Sequence, residues 1–314
     1  MDELVKYAFF EGKIVPINEA KLSIMTHGFM YGTSIFEGIR AYWNAEHKRM
    51  YILRLHEHLE RMFDSIKIMH LEIKYSIDEL SKIIADILKR ENFQRDAYIR
   101  ITVYKSGKKI GVGVQKVPSD ICIFAVPFDD YYEGADGLKV CVSNWRRVED
   151  NAIPARCKIV GAYANSALCK ADAVIAGYDE AIVLTEAGSV SEGSAMNLFL
   201  VKNGQLITPP GSENILEGIT RATIMNIAES ELRLRTDCRI VDRSELYIAD
   251  ELFFTGTGAQ VKPIISVDNR QVGDGGTGPV TQKLMDLYYS MAQGKIEKYK
   301  HWLTSVAVEV SSAR

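Results

Sequence analysis

No apolar run in the 314-residue chain approaches the roughly 18 residues of a membrane span. The opening MDELVKYAFF carries acids where a secretory signal carries bases, so a cytoplasmic protein is expected. A basic excess is absent as well. A formal net charge of -3 gives no field for gripping nucleic acid or an anionic membrane, and any bound phosphate must be held locally. Cysteine is sparse. Cys122, Cys141, Cys157, Cys169 and Cys238 are odd in number, widely spaced and without a CxxC pair, which argues for reduced structural thiols over a disulfide or zinc framework.

Several catalytic signatures are missing too. There is no G-x-S-x-G elbow, and VGDGGTGP lacks the lysine of a P-loop. The HEH at 56–58 is not HExxH, its two histidines are only two apart on a helix and do not share a face, and no downstream carboxylate cluster completes a site. No metal is expected. Internal repeats and low-complexity tracts are also absent.

What remains is an ordinary globular composition, 47% hydrophobic and 25% charged, with a sizeable core. YAFFEGKIVPI reads as a hairpin turning at Gly12. After a strand at Met50 to Leu53, the stripe Leu55, Leu59, Met62, Phe63, Ile66 and Met69 has helical spacing. Ser76 and Glu79 form a capping box that opens a second helix, SIDELSKIIADILKR. In AYIRITVY, alternation puts Ile99, Ile101 and Val103 on one face and Tyr98, Arg100, Thr102 and Tyr104 on the other. PFDDYYEGADG reads as a linker between domains. The second half alternates strands and helices, and the Asn203-Gly204 hairpin signal means that its sheet is not purely parallel.

Four places can carry chemistry. In ARCKIVGAYANSA, Lys158 has small or apolar surroundings and no acidic neighbour within six residues. An apolar site disfavours the ammonium form and yields the nucleophilic amine that Schiff-base chemistry requires, although the same lysine could simply end a strand with its head in water. Gly218, Ile219 and Thr220 open a helix whose amino end suits a phosphate, or Thr220 serves only as an N-cap. FFTGTGAQ can present Thr257 and the N–H of Gly258 to the same group. Glu192 in VSEGSAMNLF is either a solvated turn glutamate or a partner for a ring nitrogen.

Eight ordered motifs span nearly the whole chain: HGFMYGTSIFEGIR, HLERM, AYIR, the lysine segment, SEGSAMNLF, LEGITR, ELFFTGTG and GPVT. Together they resemble the class IV aminotransferases, fold type IV of the pyridoxal phosphate enzymes, and within them the branched-chain amino acid type. The resemblance implies a mixed α/β (α+β) fold in two domains. A small N-terminal α/β domain would span 1–126, an interdomain loop 127–137, and a larger C-terminal domain 138–314, with a mixed sheet or pseudo-barrel, would carry the cofactor lysine. It further implies transfer of the amino group of leucine, isoleucine or valine to 2-oxoglutarate in a ping-pong cycle. D-amino acid and (R)-selective amine transaminases and aminodeoxychorismate lyase share the fold. A homodimer at least is implied, with a hexamer as the larger assembly.

By the same resemblance, Lys158 is the catalytic lysine that forms a Schiff base with pyridoxal 5'-phosphate. Arg61, Ile219, Thr220 and Thr257 look like the phosphate cup, Glu192 like the carboxylate facing the pyridine nitrogen, and Tyr163 like the partner of the ring oxygen. Tyr31, Phe36, Gly38, Tyr98, Arg100, Thr257 and Gly258 resemble the substrate wall. Ile159 and Val160, Met196 and Gly258 depart from the usual pattern.

Overall fold

The computed structural model describes residues 5–132, 134 and 136–308. Glu133 and Ala135 of the expected linker, residues 309–314 of the expected second domain and residues 1–4 of the opening segment lie outside it. The fold is mixed α/β. In chain order it runs β1 (Tyr7–Phe10), β2 (Lys13–Pro16), α1 (His27–Tyr31), β3 (Ser34–Asn44), β4 (Arg49–Leu53), α2 (Leu55–Ile68), α3 (Ile77–Glu91), β5 (Ala97–Lys105) and β6 (Ser119–Pro127). Next come β7 (Leu138–Arg146), α4 (Tyr163–Ile175), β8 (Glu180–Leu184), β9 (Val190–Gly193), β10 (Asn197–Lys202), β11 (Gln205–Thr208), α5 (Ile219–Leu232) and β12 (Thr236–Cys238). The chain closes with β13 (Glu251–Gly256), β14 (Gln260–Val267), β15 (Arg270–Gln271), α6 (Pro279–Ala292) and β16 (Leu303–Ala307).

Two compact units result. One comprises Met1–Asp129, Cys157–Gly161 and Ser290–Arg314, the other Asp130–Arg156 and Ala162–Tyr289. The boundary at 129/130 falls inside the stretch read as a linker. Two later segments join the first unit through backbone pairing: β16 lies antiparallel to β4, and Ile159 forms a bridge with Ile35 on β3.

Among the described residues the first unit holds a seven-stranded sheet in the order β16-β4-β3-β5-β6-β1-β2. α2 and α3 cover one face. α2 packs on β3 and α3 on β1 and β6, burying Leu59, Met62, Leu80 and Ile84 beside Ile39, Ile99, Ile101 and Val103. Apolar side chains at helical spacing drive this packing, and Ser76 and Glu79 form the expected capping box at the start of α3. The opposite face carries Phe36 and Gly38 of β3 and the half-buried Tyr98, Arg100 and Thr102 of β5. Strand alternation therefore separates the core from a polar and aromatic surface.

The second unit is built on a nine-stranded mixed sheet, β12-β11-β10-β13-β14-β7-β8-β9 with β15 paired to β14. β7 runs parallel to both β8 and β14, while β10, β11, β13 and β14 form antiparallel ladders. Asn203 and Gly204 turn β10 into β11 with φ of 50° and 74°, as a type I′ hairpin requires. Leu138, Ile182, Leu198, Leu252 and Phe254 lie in its apolar core. No helix among the described residues is long and apolar enough to cross a membrane.

A buried carboxylate anchors the last helix of this unit. Glu251 accepts hydrogen bonds from the N–H of Val280 (3.0 Å), the N–H of Thr281 (2.7 Å) and the Thr281 hydroxyl (2.7 Å). A Cβ on Gly278 would stand 2.1 Å from Glu251 Cγ, so the glycine makes room for the carboxylate. Glu251→Ala strips a buried helix end of its charged acceptor and is expected to cost on the order of 2–4 kcal/mol. Thermal unfolding checks this, and an unchanged Tm would mean that water replaces the carboxylate at no cost.

Candidate active site

Within the first unit, Lys158 is spliced onto the start of β3 by backbone bonds. The Phe36 N–H donates to the Lys158 carbonyl (3.0 Å), and the Gly161 N–H donates to the Gly32 carbonyl (3.2 Å). Gly32 caps α1 in the left-handed region, and a Cβ there would lie 3.0 Å from Gly161 Cα, so close approach needs glycine at this position. The Lys158 N–H donates to Ser65 Oγ at 3.4 Å. Fixed in this way, the half-buried Lys158 places Nζ 4.9 Å from the centroid of the Phe36 ring.

The Arg100 guanidinium stacks over the same ring at 3.4 Å. Gly38 has a steric role. A Cβ there would fall 2.0 Å from Tyr98 Oη, so the bare strand lets the Tyr98 ring lie across it. Tyr98 also packs on Phe128, with ring centroids 5.6 Å apart. Phe36, Gly38, Tyr98, Arg100 and Lys158 are thus brought together. Tyr31 does something different, since its hydroxyl accepts the Gly111 N–H at 2.8 Å and holds the loop after β5.

Arg61 projects from α2 to a partner that sequence reasoning did not name. Glu37, fully buried on β3, accepts from Arg61 Nε (2.8 Å) and Nη2 (2.8 Å), and its Oε2 lies 2.7 Å from His58 Nδ1. Burial alone would raise the Glu37 carboxyl, but the charges and hydrogen bonds of Arg61 and His58 outweigh it and hold the group down at about 2. Burial pushes His58 below its ordinary range, and the nearby Arg61 and Lys158 charges add to that, against the pull of Glu37. The signal in the sequence was the one acid of the strand SIFEGIRAYWN.

In the second unit, Glu192 sits on β9 and is 3% exposed, a buried strand residue instead of a solvated turn glutamate. Arg147 Nη2 pairs with its Oε1 at 2.8 Å, while Asn197 Nδ2 (2.9 Å) and the Leu216 N–H (3.2 Å) donate to Oε2. Leu216 leads into α5, which starts at Ile219 with Gly218 as N-cap. The cap makes no side-chain hydrogen bond, and the first turn carries no acid. Thr220 is buried in that turn, so it is not the N-cap itself. Thr257 and Gly258 lie in the turn from β13 to β14, and Tyr163 opens α4.

The chemistry of the donors decides whether these residues suit a phosphorylated cofactor. Thr255 pairs with Asn197 across the β13–β10 ladder, so both side chains share a face of the sheet. The Thr255 hydroxyl is fully buried and has no hydrogen-bond partner among the described residues. A helix end without a side-chain cap and a buried threonine in its first turn fit a phosphate group, and the buried Glu192 carboxylate fits a protonated ring nitrogen. Among the described residues no group of three or more His, Cys, Asp or Glu could hold a metal ion.

The Glu37 clamp predicts a pH signature. Because the carboxyl is held at about 2 in the folded chain, against 4.5 as its ordinary value, its contribution to stability is complete above about 4.5 and is lost as pH falls toward 2. Glu37→Gln keeps the shape and removes the charge. It is expected to lower stability at neutral pH by on the order of 3 kcal/mol, with the gap to wild type closing in acid. Urea unfolding across pH measures this, and a gap that is independent of pH would mean that the carboxylate charge is not what holds Arg61 and His58.

Comparison with known proteins places this geometry in context. The family model described as amino-transferase class IV matches residues 34–267. A probable branched-chain-amino-acid aminotransferase of Aquifex aeolicus is 47% identical, with 96% of each chain covered. The branched-chain amino acid aminotransferase of Thermobaculum terrenum, crystallised in its PLP-form, is 34% identical with a TM-score of 0.92 over 96% of this chain and 98% of that one. The T.th. branched-chain amino acid aminotransferase, solved in complex with N-(5'-phosphopyridoxyl)-L-glutamate, is 38% identical with a TM-score of 0.91 over 96% and 98%. From the length of the match and the levels of identity, the chain belongs to the class IV aminotransferases.

Proposed function

We propose that the protein is a branched-chain amino acid aminotransferase that uses pyridoxal 5'-phosphate, moving the amino group of leucine, isoleucine or valine to 2-oxoglutarate in two half-reactions. The observation that carries this reading is the single surface on which Lys158 and Arg100 meet the Phe36 ring. It offers an amine, a fixed cation and an apolar wall within one patch. The relatives support it, since the T.th. enzyme is known in complex with a phosphopyridoxyl derivative of glutamate.

When bound, pyridoxal phosphate supplies an electron sink for the carbanion at the substrate Cα. The chain's own groups do the rest. Arg61, oriented by Glu37, the Ile219 and Thr220 N–H groups and Thr257 bind the phosphate. Glu192 keeps the pyridine nitrogen protonated, and Tyr163 bonds the ring oxygen. Lys158 would hold the cofactor through its amine, and the same amine, when free, would carry the proton between the substrate Cα and cofactor C4′. Tyr98, with the Thr257 and Gly258 backbone, seats the α-carboxylate. Phe36 receives an aliphatic side chain, while Arg100 receives the distal carboxylate of glutamate.

The assembly we propose is a homodimer at least. Leu22, Ile24, Met25, Phe29, Ile110 and Val112 are all exposed, and the His27 and Tyr31 bonds to Gly111 tie these two segments into one apolar surface. A patch of this kind suits a protein partner, and a second copy of the chain is the one we infer.

Two substitutions test the reading. Lys158→Ala is expected to abolish transamination while the protein still folds, and borohydride reduction of wild type followed by peptide mapping should find the cofactor on Lys158. A mutant with near wild-type turnover would end this mechanism. Arg100→Leu is expected to cut kcat/KM for the glutamate half-reaction by roughly 30- to 1000-fold and to spare the leucine half-reaction, because only glutamate loses a charged partner. Stopped-flow absorbance with one substrate at a time measures each, and equal losses would mean that Arg100 serves the α-carboxylate or the fold.

A further inference from the structure

One carboxamide in the second unit joins two parts of the proposed cofactor site. Asn197 opens β10 and is 5% exposed. Its Nδ2 donates to Glu192 Oε2 at 2.9 Å and to the Leu216 carbonyl at 2.8 Å. Both partners are pure acceptors, so the amide orientation is set: nitrogen toward Glu192 and Leu216, oxygen away from them. The Leu216 N–H closes the ring by donating to the same Glu192 oxygen at 3.2 Å. Two residues on, the chain reaches Gly218, the N-cap of α5.

Gly218 shows how tightly this is built. Its φ of -69° is open to any residue, so no conformational reason calls for glycine. The reason is space. A Cβ at 218 would lie 2.1 Å from Asn197 Oδ1, and that amide cannot swing aside without breaking its bonds to Glu192 and Leu216. Asn197 therefore presses against the helix N-cap on one side and grips the carboxylate on the other.

We propose that Asn197 is a positioning residue that couples Glu192 to the amino end of α5. This inference rests on the proposed function, in which Glu192 faces the ring nitrogen and the helix end faces the phosphate. A ring and its phosphate are joined by a short C–O–P arm that allows only a narrow range of separations, so a cofactor gains affinity only if the protein holds the two receptor groups within that range. Glu192 lies on β9 and the helix end follows a long excursion of the chain, so neither sets the position of the other by local geometry. The Asn197 amide does so together with the direct Leu216 N–H bond to Glu192, with one hydrogen on each side and its oxygen packed on the cap.

The chemistry yields a discriminating variant. Asn197→Asp preserves shape but turns an oxygen toward Glu192 Oε2 and the Leu216 carbonyl. At neutral and alkaline pH the new carboxylate repels both, whereas in acid it takes a proton and can again donate to Glu192. Asn197→Ala removes both donors at every pH.

The test uses apoprotein of wild type, Asn197→Ala, Asn197→Asp and Glu192→Gln, titrated by intrinsic fluorescence with pyridoxal phosphate and, separately, with inorganic phosphate. In Asn197→Ala, cofactor affinity should fall about 10- to 100-fold, as is common when a supporting shell is removed. Affinity for inorganic phosphate, which has no ring to meet Glu192, should fall as well by about 3- to 10-fold, the loss of one ordinary hydrogen bond's worth of order. Glu192→Gln should leave phosphate binding unchanged, and Asn197→Asp should regain cofactor affinity as pH is lowered. If Asn197→Ala loses cofactor but binds phosphate like wild type, the side chain serves Glu192 alone and the coupling is overturned. Unchanged affinity for both probes overturns it too. Should Asn197→Ala fail to fold, the shape-preserving Asp variant decides: wild-type affinity at every pH overturns the proposal. A wild-type apoprotein that binds no pyridoxal phosphate brings down the proposed function itself, a result distinct from variants that bind as well as wild type.

Discussion

Two backbone hydrogen bonds, from Phe36 to Lys158 and from Gly161 to Gly32, splice the lysine segment onto the end of a strand. Much of the site in the first unit depends on that splice. Because the bond runs through the carbonyl of Lys158 itself, the amine is indexed to β3 and meets the ring of the residue it is bonded to. The neighbouring strand then adds Arg100 to the same ring by its register, since Gly38 pairs with Arg100 and Phe36 with Thr102. The Lys158 amine and the Arg100 guanidinium are thus placed by sheet geometry, which is stiffer than a loop.

Each unit buries a carboxylate that it pairs with an arginine and further donors. Glu37 is held by Arg61 and His58, and Glu192 by Arg147, Asn197 and the Leu216 N–H. A buried ion pair contributes little net stability after desolvation, yet losing one partner is costly because the other charge is stranded. The value of such pairs lies in direction. A forked guanidinium on a carboxylate has one favoured geometry, so Glu37 fixes the direction of Arg61.

The departures from the family pattern fit this framework. Ile159 is buried and bridges Ile35, so the β-branched residue extends the sheet at the point where the lysine is spliced. Met196 lies in the apolar core of the second unit, with its sulfur 3.7 Å from the Tyr132 hydroxyl, which itself donates to Glu180 at 2.6 Å. At Gly258 a Cβ would only touch Tyr131 at 3.5 Å, an ordinary contact, so space does not demand glycine there. Nothing in the structure explains Val160.

Local rules were enough to read much of this chain. Period-2 alternation in AYIRITVY, the Ser76 capping box and the Asn203-Gly204 turn depend on near neighbours, and each is found in the structure as read. The motifs carried the lysine, the helix end and Glu192 for the same reason, because each is a short segment with its own chemistry. Other features were settled by contacts distant in sequence. Glu37 meets residues more than twenty positions away, Ile159 completes the edge of a strand formed 124 residues earlier, and Gly218 is small because of an amide on another strand. A carboxylate within a strand, a lysine beside small residues and a glycine before a helix each have several local explanations. Only tertiary packing chooses among them, because burial removes water as the default partner and obliges every polar group to find a specific one.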